Sequence, residues 1–193
     1  FFSECTSQGI QAIVARGDLL RKISFPKWIL VVSATVTALI NFLINLGVVI
    51  IFAIVNGVTP NLGWLLVPFV ILELYILALG ISFFLGAINV KYRDISSIWE
   101  VFMQALFYAV PVIYPITMVA SASPFAAKVF LLNPIAQVIQ DVRYFLITDQ
   151  TITTWNYLPE RLYYLIPLSI VLLVILLGGI YFRKRSKYFA EEA

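Results

Sequence analysis

A chain of 193 residues that is 62% hydrophobic and only 12% charged has too little polar surface to cover a globule in water, because soluble domains run at about 45–50% apolar and about 25% charged. The mean hydropathy of +0.97 agrees, and lipid is the solvent that remains. The net charge of +3 sits at segment ends rather than on one patch, which argues against nucleic acid, while the absence of histidine and the lone Cys5 exclude the common zinc, haem and disulfide frameworks.

In lipid the backbone must satisfy its own hydrogen bonds, so the choice is between helices and a closed β-barrel. Barrel strands alternate apolar and polar residues over about ten positions. Unbroken apolar runs such as 165–179 decide for helices. The expected fold is an all-α polytopic transmembrane helix bundle, one domain over 1–193.

Taken in order, Phe1 and Phe2 follow no initiator methionine and no signal-peptide pattern. They read as the tail of a membrane helix whose earlier part precedes this numbering. Ile10, Ile13, Val14, Leu20 and Ile23 then form an amphipathic stretch, stopped at Phe25-Pro26 because proline cannot continue a helix. Such a stretch either lies flat on the membrane or presents a face to a cytoplasmic partner. Runs of roughly 20 apolar residues, enough to cross a bilayer, occupy about 28–55, 62–89, 98–119 and 163–182.

Within the first span Ser33, Thr37, Asn41 and Asn45 recur every four residues and mark one polar face, read as helix–helix glue before a transport path. Glu73 is the only acid deep in a predicted span and should face protein or water. It is either a lining or anchor for a conduit, or a hydrogen-bonded structural residue. The third span carries Trp99, Phe102, Phe107, Tyr108 and Tyr114, with Pro111 and Pro115 four apart. Those prolines are expected to break or kink it near its outer end, beside protein or a water-lined cavity. Its rings either stack on sugar faces or form an interfacial belt, and the belt is the default.

The region 120–162 is expected outside the membrane, with a short helix at 134–147 opened by Asn133-Pro134 as cap and first-turn proline. Its apolar residues (Ile135, Val138, Ile139, Val142, Phe145, Leu146) keep helical spacing, and Gln137, Gln140, Asp141 and Arg143 fall on other faces. A helix this short lies in the interface, dips in as a re-entrant element, or packs on its own bundle. Residues 183–193 form a basic tail. Ten of the 13 basic residues lie before the first span, in the Lys91 loop or after the last span. By the positive-inside rule those three regions, the C-terminus included, are cytoplasmic. No catalytic, cofactor-binding or metal-binding set is visible, and no phosphate loop, so any nucleotide is hydrolysed elsewhere.

The ordered motifs resemble the permease subunit of type-2 ATP-binding-cassette exporters, in the branch that exports O-antigen, capsule or teichoic acid. The residues that carry the resemblance are the stretch from Gly9 to Ser24-Phe25-Pro26, Asn89 to Ile95 between two spans, Pro111 to Pro115, Asn133-Pro134, and a last span with a basic tail. The resemblance implies a six-span homodimeric permease of the bacterial or archaeal cytoplasmic membrane, here lacking its first span and most of the second. The implied partners are a cytoplasmic ATPase subunit that carries ATP and Mg, a second copy, membrane lipids and a lipid-linked glycan. It also implies that Arg16, Leu20, Arg21, Lys22 and Phe25 belong to a coupling helix and Lys91, Arg93 and Asp94 to a second ATPase contact. Pro111, Tyr114 and Pro115 map to an outer gate region, and Phe102, Phe107 and Tyr108 to a channel wall, with Glu73 as a further lining candidate. The alternatives are a type-2 exporter of a drug or small lipid and a non-transporting membrane scaffold.

Overall fold

The computed structural model describes residues 1–17, 25–158 and 161–189, and among them all regular structure is helical. Helix α1 is Phe2–Gln11, followed by a 3-10 turn at Val14–Arg16. Helix α2 is Trp28–Val55; a 3-10 turn at Leu62–Leu66 leads into α3, Val67–Asn89. Then come α4 (Ile95–Ala109), α5 (Ile116–Ala122), α6 (Pro124–Leu131), α7 (Pro134–Leu146) and the single turn α8 (Thr154–Tyr157). A 3-10 turn at Arg161–Tyr164 opens the last helix, α9, Leu165–Arg185. Among the described residues three runs are long and apolar enough to cross a membrane: Trp28–Val55, Leu62–Asn89 and Leu165–Arg185. The chain is an all-α polytopic membrane protein.

The expected third span is not one helix. Helix α4 starts at Ile95 and closes at Ala109, a rise of about 22 Å against a hydrocarbon core of about 30 Å. Pro111 supplies no N–H to the ladder, and each proline disfavours helical backbone in the residue before it. The chain therefore turns through 110–114, and Pro115, with extended φ −72 and ψ 139, becomes the N-cap of α5.

Local punctuation shapes two more segments. The region beyond residue 120 holds not one short helix but several. Ser123-Pro124 repeats the cap chemistry of Asn133-Pro134: Ser123 Oγ accepts from Ala126 N at 3.3 Å, as Asn133 Oδ1 accepts from Ile135 N at 2.9 Å. At the end of α2, Gly57 takes φ +88, the only positive φ among the described residues. Its N–H bonds Ile54 O, and Val58 N–H bonds Ala53 O, both at 3.0 Å, a Schellman closure.

The chain divides into two compact units. The first comprises Phe1–Ile44, Tyr75–Gln104 and Leu172–Ala193. Its core joins Ala12, Ile13, Leu30, Val31, Ala87, Val90, Phe182 and Phe189. Glycines let its helices approach closely. A Cβ on Gly80 would lie 2.8 Å from Ile175 Cα, a Cβ on Gly178 would collide with Gly80 O, and one on Gly9 would collide with Ser82. Trp99 Nε1 donates to Thr6 Oγ1 at 2.8 Å, and Asn89 Nδ2 to Ile10 O at 3.3 Å, tying α4 and α3 to α1. The expected polar stripe of α2 is not buried glue in this chain: Ser33, Thr37, Asn41 and Asn45 are all exposed. Asn41 still donates to Glu4 Oε1 at 3.2 Å, and it is Thr35 that turns into the core toward Tyr75.

The second unit comprises Asn45–Leu74 and Ala105–Val171. Helices α5, α6 and α7 contact one another in chain order, and α7 lies on the 62–66 turn. Trp155 sits 5.5 Å from the ring of Phe145 and stacks on Tyr164, also at 5.5 Å and 11° between planes.

Candidate functional sites

Two sites emerge, one in each unit. In the first unit the three basic regions converge. The core just described joins the end of α1, the start of α2, the end of α3 and the end of α9. Lys27 Nζ donates to Ser186 O, so the residue before α2 is bonded to the turn after α9. Arg16 is exposed, as are Lys91, Tyr92, Arg93 and Asp94 in the turn between α3 and α4. Lys91 Nζ lies 5.3 Å over the Tyr92 ring, and Ile98 N bonds Asp94 O at 3.1 Å, starting α4. Phe25 packs partly buried against the core. Leu20, Arg21 and Lys22 lie outside the described residues. Ile10 and Ile13 are fully buried, so this part of the amphipathic stretch spends its apolar face on its own bundle. The result is one end of the unit studded with cations and carrying an exposed, charged turn.

In the second unit the break after α4 is braced from α7. Arg143 Nη1 donates to Pro111 O at 3.1 Å, and its Nη2 donates to Val112 O at 2.6 Å. These carbonyls lack helical partners because the prolines end the ladder. A guanidinium fork replaces it. Tyr114 Oη, at the same break, donates back to Tyr108 O at 3.3 Å. A cavity of about 250 Å³ opens here, lined among others by Pro115, Thr117, Gln140, Arg143 and Gln150. Sequence reasoning did not single out Arg143. The available signal was that two prolines free carbonyls that some donor must meet.

Helix α7 buries more than an apolar face: Ala136, Val138, Phe145 and Leu146 are buried, and polar residues are buried beside them. Gln137, Gln140 and Asp141 are fully buried, whereas Ile135, Ile139 and Val142 are only half-buried. A buried polar set of this kind needs partners within the protein. Gln137 Nε2 donates to Asp141 Oδ2 at 2.9 Å and reaches Glu73 Oε2 at 3.5 Å. Glu73 is thus no isolated acid: one amide sits between it and a second carboxyl from a short helix. Burial pushes the Asp141 carboxyl up to about 6, the Gln137 hydrogen bond opposes this, and the nearby Glu73 charge adds to it.

The aromatic candidates lie on one helix but in the two different units. In the first, Phe102 is half-exposed and stacks on Trp99 at 5.2 Å. In the second, Phe107 and Tyr108 form an edge-to-face pair at 5.6 Å, and Tyr108 is 71% exposed. Their faces are therefore available rather than spent on the core.

The profile of the ABC-2 type transporter membrane family matches residues 1–147. The O-antigen export system permease protein RfbA of Myxococcus xanthus is 32% identical across the whole of this chain and 71% of that protein. Two proteins of the same name from Klebsiella pneumoniae are 24% identical over 72% of this chain, which spans 53% of their length.

Proposed function

This chain belongs to the ABC-2 type transporter family, and from that premise we propose that it is the membrane-spanning permease of an ATP-driven exporter of a lipid-linked polysaccharide. The observation that carries the cargo is the likeness, along the entire chain, to a permease named for O-antigen export. Two copies enclose the conduit, and a separate cytoplasmic ATPase drives it. The basic end of the first unit faces the cytoplasm, in keeping with the positive-inside rule. There Arg16 and the exposed Lys91–Asp94 turn receive the ATPase, joined by Leu20, Arg21, Lys22 and Phe25. The exposed polar stripe of α2 supports a protein or water neighbour in the assembly rather than lipid.

Polymer passage needs surfaces that touch sugar without holding it. Exposed rings at Phe102, Phe107 and Tyr108 offer flat contact to sugar C–H faces with few hydrogen bonds. The braced break at 110–115 and the buried polar face of α7 supply a gate outside the spans. The test is surface glycan in a strain whose only copy carries Phe102→Ala, Phe107→Ala and Tyr108→Ala together. Lost surface polymer, with lipid-linked glycan retained inside and the permease–ATPase complex intact, is the expected result. Normal surface glycan, both in that strain and after deletion of the gene, removes the polysaccharide reading and leaves a small-molecule exporter or a scaffold.

A further inference from the structure

The first unit holds an opening of its own, of which the reading above uses only Phe25. A cavity of about 590 Å³ lies between the start of α2, Phe83 of α3 and the end of α9. Its body is apolar, walled by Phe25, Trp28, Phe83 and Phe182, and its lining also includes Lys27, Arg183 and Lys187. No acidic residue is among its described lining residues. Lys27 is held in place, bonded to Ser186 O and lying 5.7 Å over the ring of the fully buried Phe189. Gly179 contributes no side chain, and nothing lies within 4 Å of where its Cβ would be, so the wall is open there.

We propose that this cavity binds an anionic phospholipid, its phosphate against Lys27, Arg183 and Lys187 and an acyl chain along Trp28, Phe83 and Gly179. Position argues for a lipid: Trp28 begins and Arg185 ends two helices fit to cross the membrane, so the cavity lies at a membrane–water boundary, where headgroups sit. Charge argues for an anion, since basic pockets between membrane helices recognise acidic headgroups. The aromatic body argues against inorganic phosphate, which would leave that surface unmatched. A volume in this range accommodates a headgroup and the first part of a chain.

The experiment uses the full-length permease in phosphatidylcholine nanodiscs containing a minority of brominated phosphatidylglycerol or, in the matched arm, brominated phosphatidylcholine. Bromine quenches tryptophan only at short range, and subtracting the Trp28→Phe variant isolates the Trp28 signal. The expected result is that brominated phosphatidylglycerol quenches Trp28 about tenfold more effectively per mole, a preference of about 1.4 kcal/mol. Gly179→Leu fills the cavity without a clash and should bring the ratio to one, as should Arg183→Gln with Lys187→Gln. Lys184→Gln, exposed but outside the lining, should leave the ratio unchanged. Equal quenching by the two lipids in the unmodified protein overturns the proposal. So does a preference that survives Gly179→Leu, which would assign it to general surface charge, or one abolished by added inorganic phosphate.

Discussion

Arg143 illustrates what a single side chain can replace. Its fork meets two carbonyls, at 3.1 and 2.6 Å, that the proline break leaves without N–H partners. Arg143→Ala should lower unfolding stability in detergent by about 1.5–3 kcal/mol, the range for hydrogen bonds to a charged group. Arg143→Lys should recover only part of the loss, because an ammonium lacks the planar fork. Adjacent glycines give a sharper contrast. A side chain on Gly178 would strike the backbone of Gly80, whereas one on Gly179 meets open space. Gly178→Leu should therefore abolish the folded monodisperse species in size-exclusion chromatography, and Gly179→Leu should leave it intact or raise its melting temperature through better helix propensity. The caps at Asn133 and Ser123 are legible in sequence because donor and acceptor lie within three residues. Arg143 and Gly178 are not, because their partners lie some 30 or more positions away in the chain.

At the scale of elements, α7 carries the clearest lesson. Its periodicity marks an amphipathic helix correctly, yet periodicity does not say which face turns inward. In water the apolar face would be buried. Here Gln137, Gln140 and Asp141 share the interior with Val138, Phe145 and Leu146, while Ile135, Ile139 and Val142 are left half-buried. The same placement gives Glu73 a neighbouring acid that no local pattern could show. Because the folded carboxyl of Asp141 titrates at about 6 rather than 3.8, its protonated form is the one the fold favours. The resulting stabilisation is complete below about pH 4 and disappears as pH rises through about 6. Melting temperatures from pH 4 to pH 7 should thus fall more steeply for the unmodified protein than for Asp141→Asn. Parallel slopes would assign no titration in that window to Asp141.

For the molecule as a whole, the sequence announces its solvent, its long helices and its charge asymmetry, since each is a property of contiguous residues. The positive-inside rule puts the regions around Arg16, Lys91 and Arg183 on one side, but it does not announce that they pack together, which depends on how Ile13, Val90 and Phe182 meet in a common core. If that end receives the ATPase, Lys91→Glu with Arg93→Glu should cut co-purification of the ATPase at least about tenfold while the permease still inserts and folds. Retention of normal association and stimulated hydrolysis would discharge the turn from that role. The braced break has a last consequence for any opening motion. The carbonyls of Pro111 and Val112 can release Arg143 only if another donor takes its place. Water is one such donor, so any swing of this joint is coupled to its hydration: solvent must enter before the backbone on either side can part.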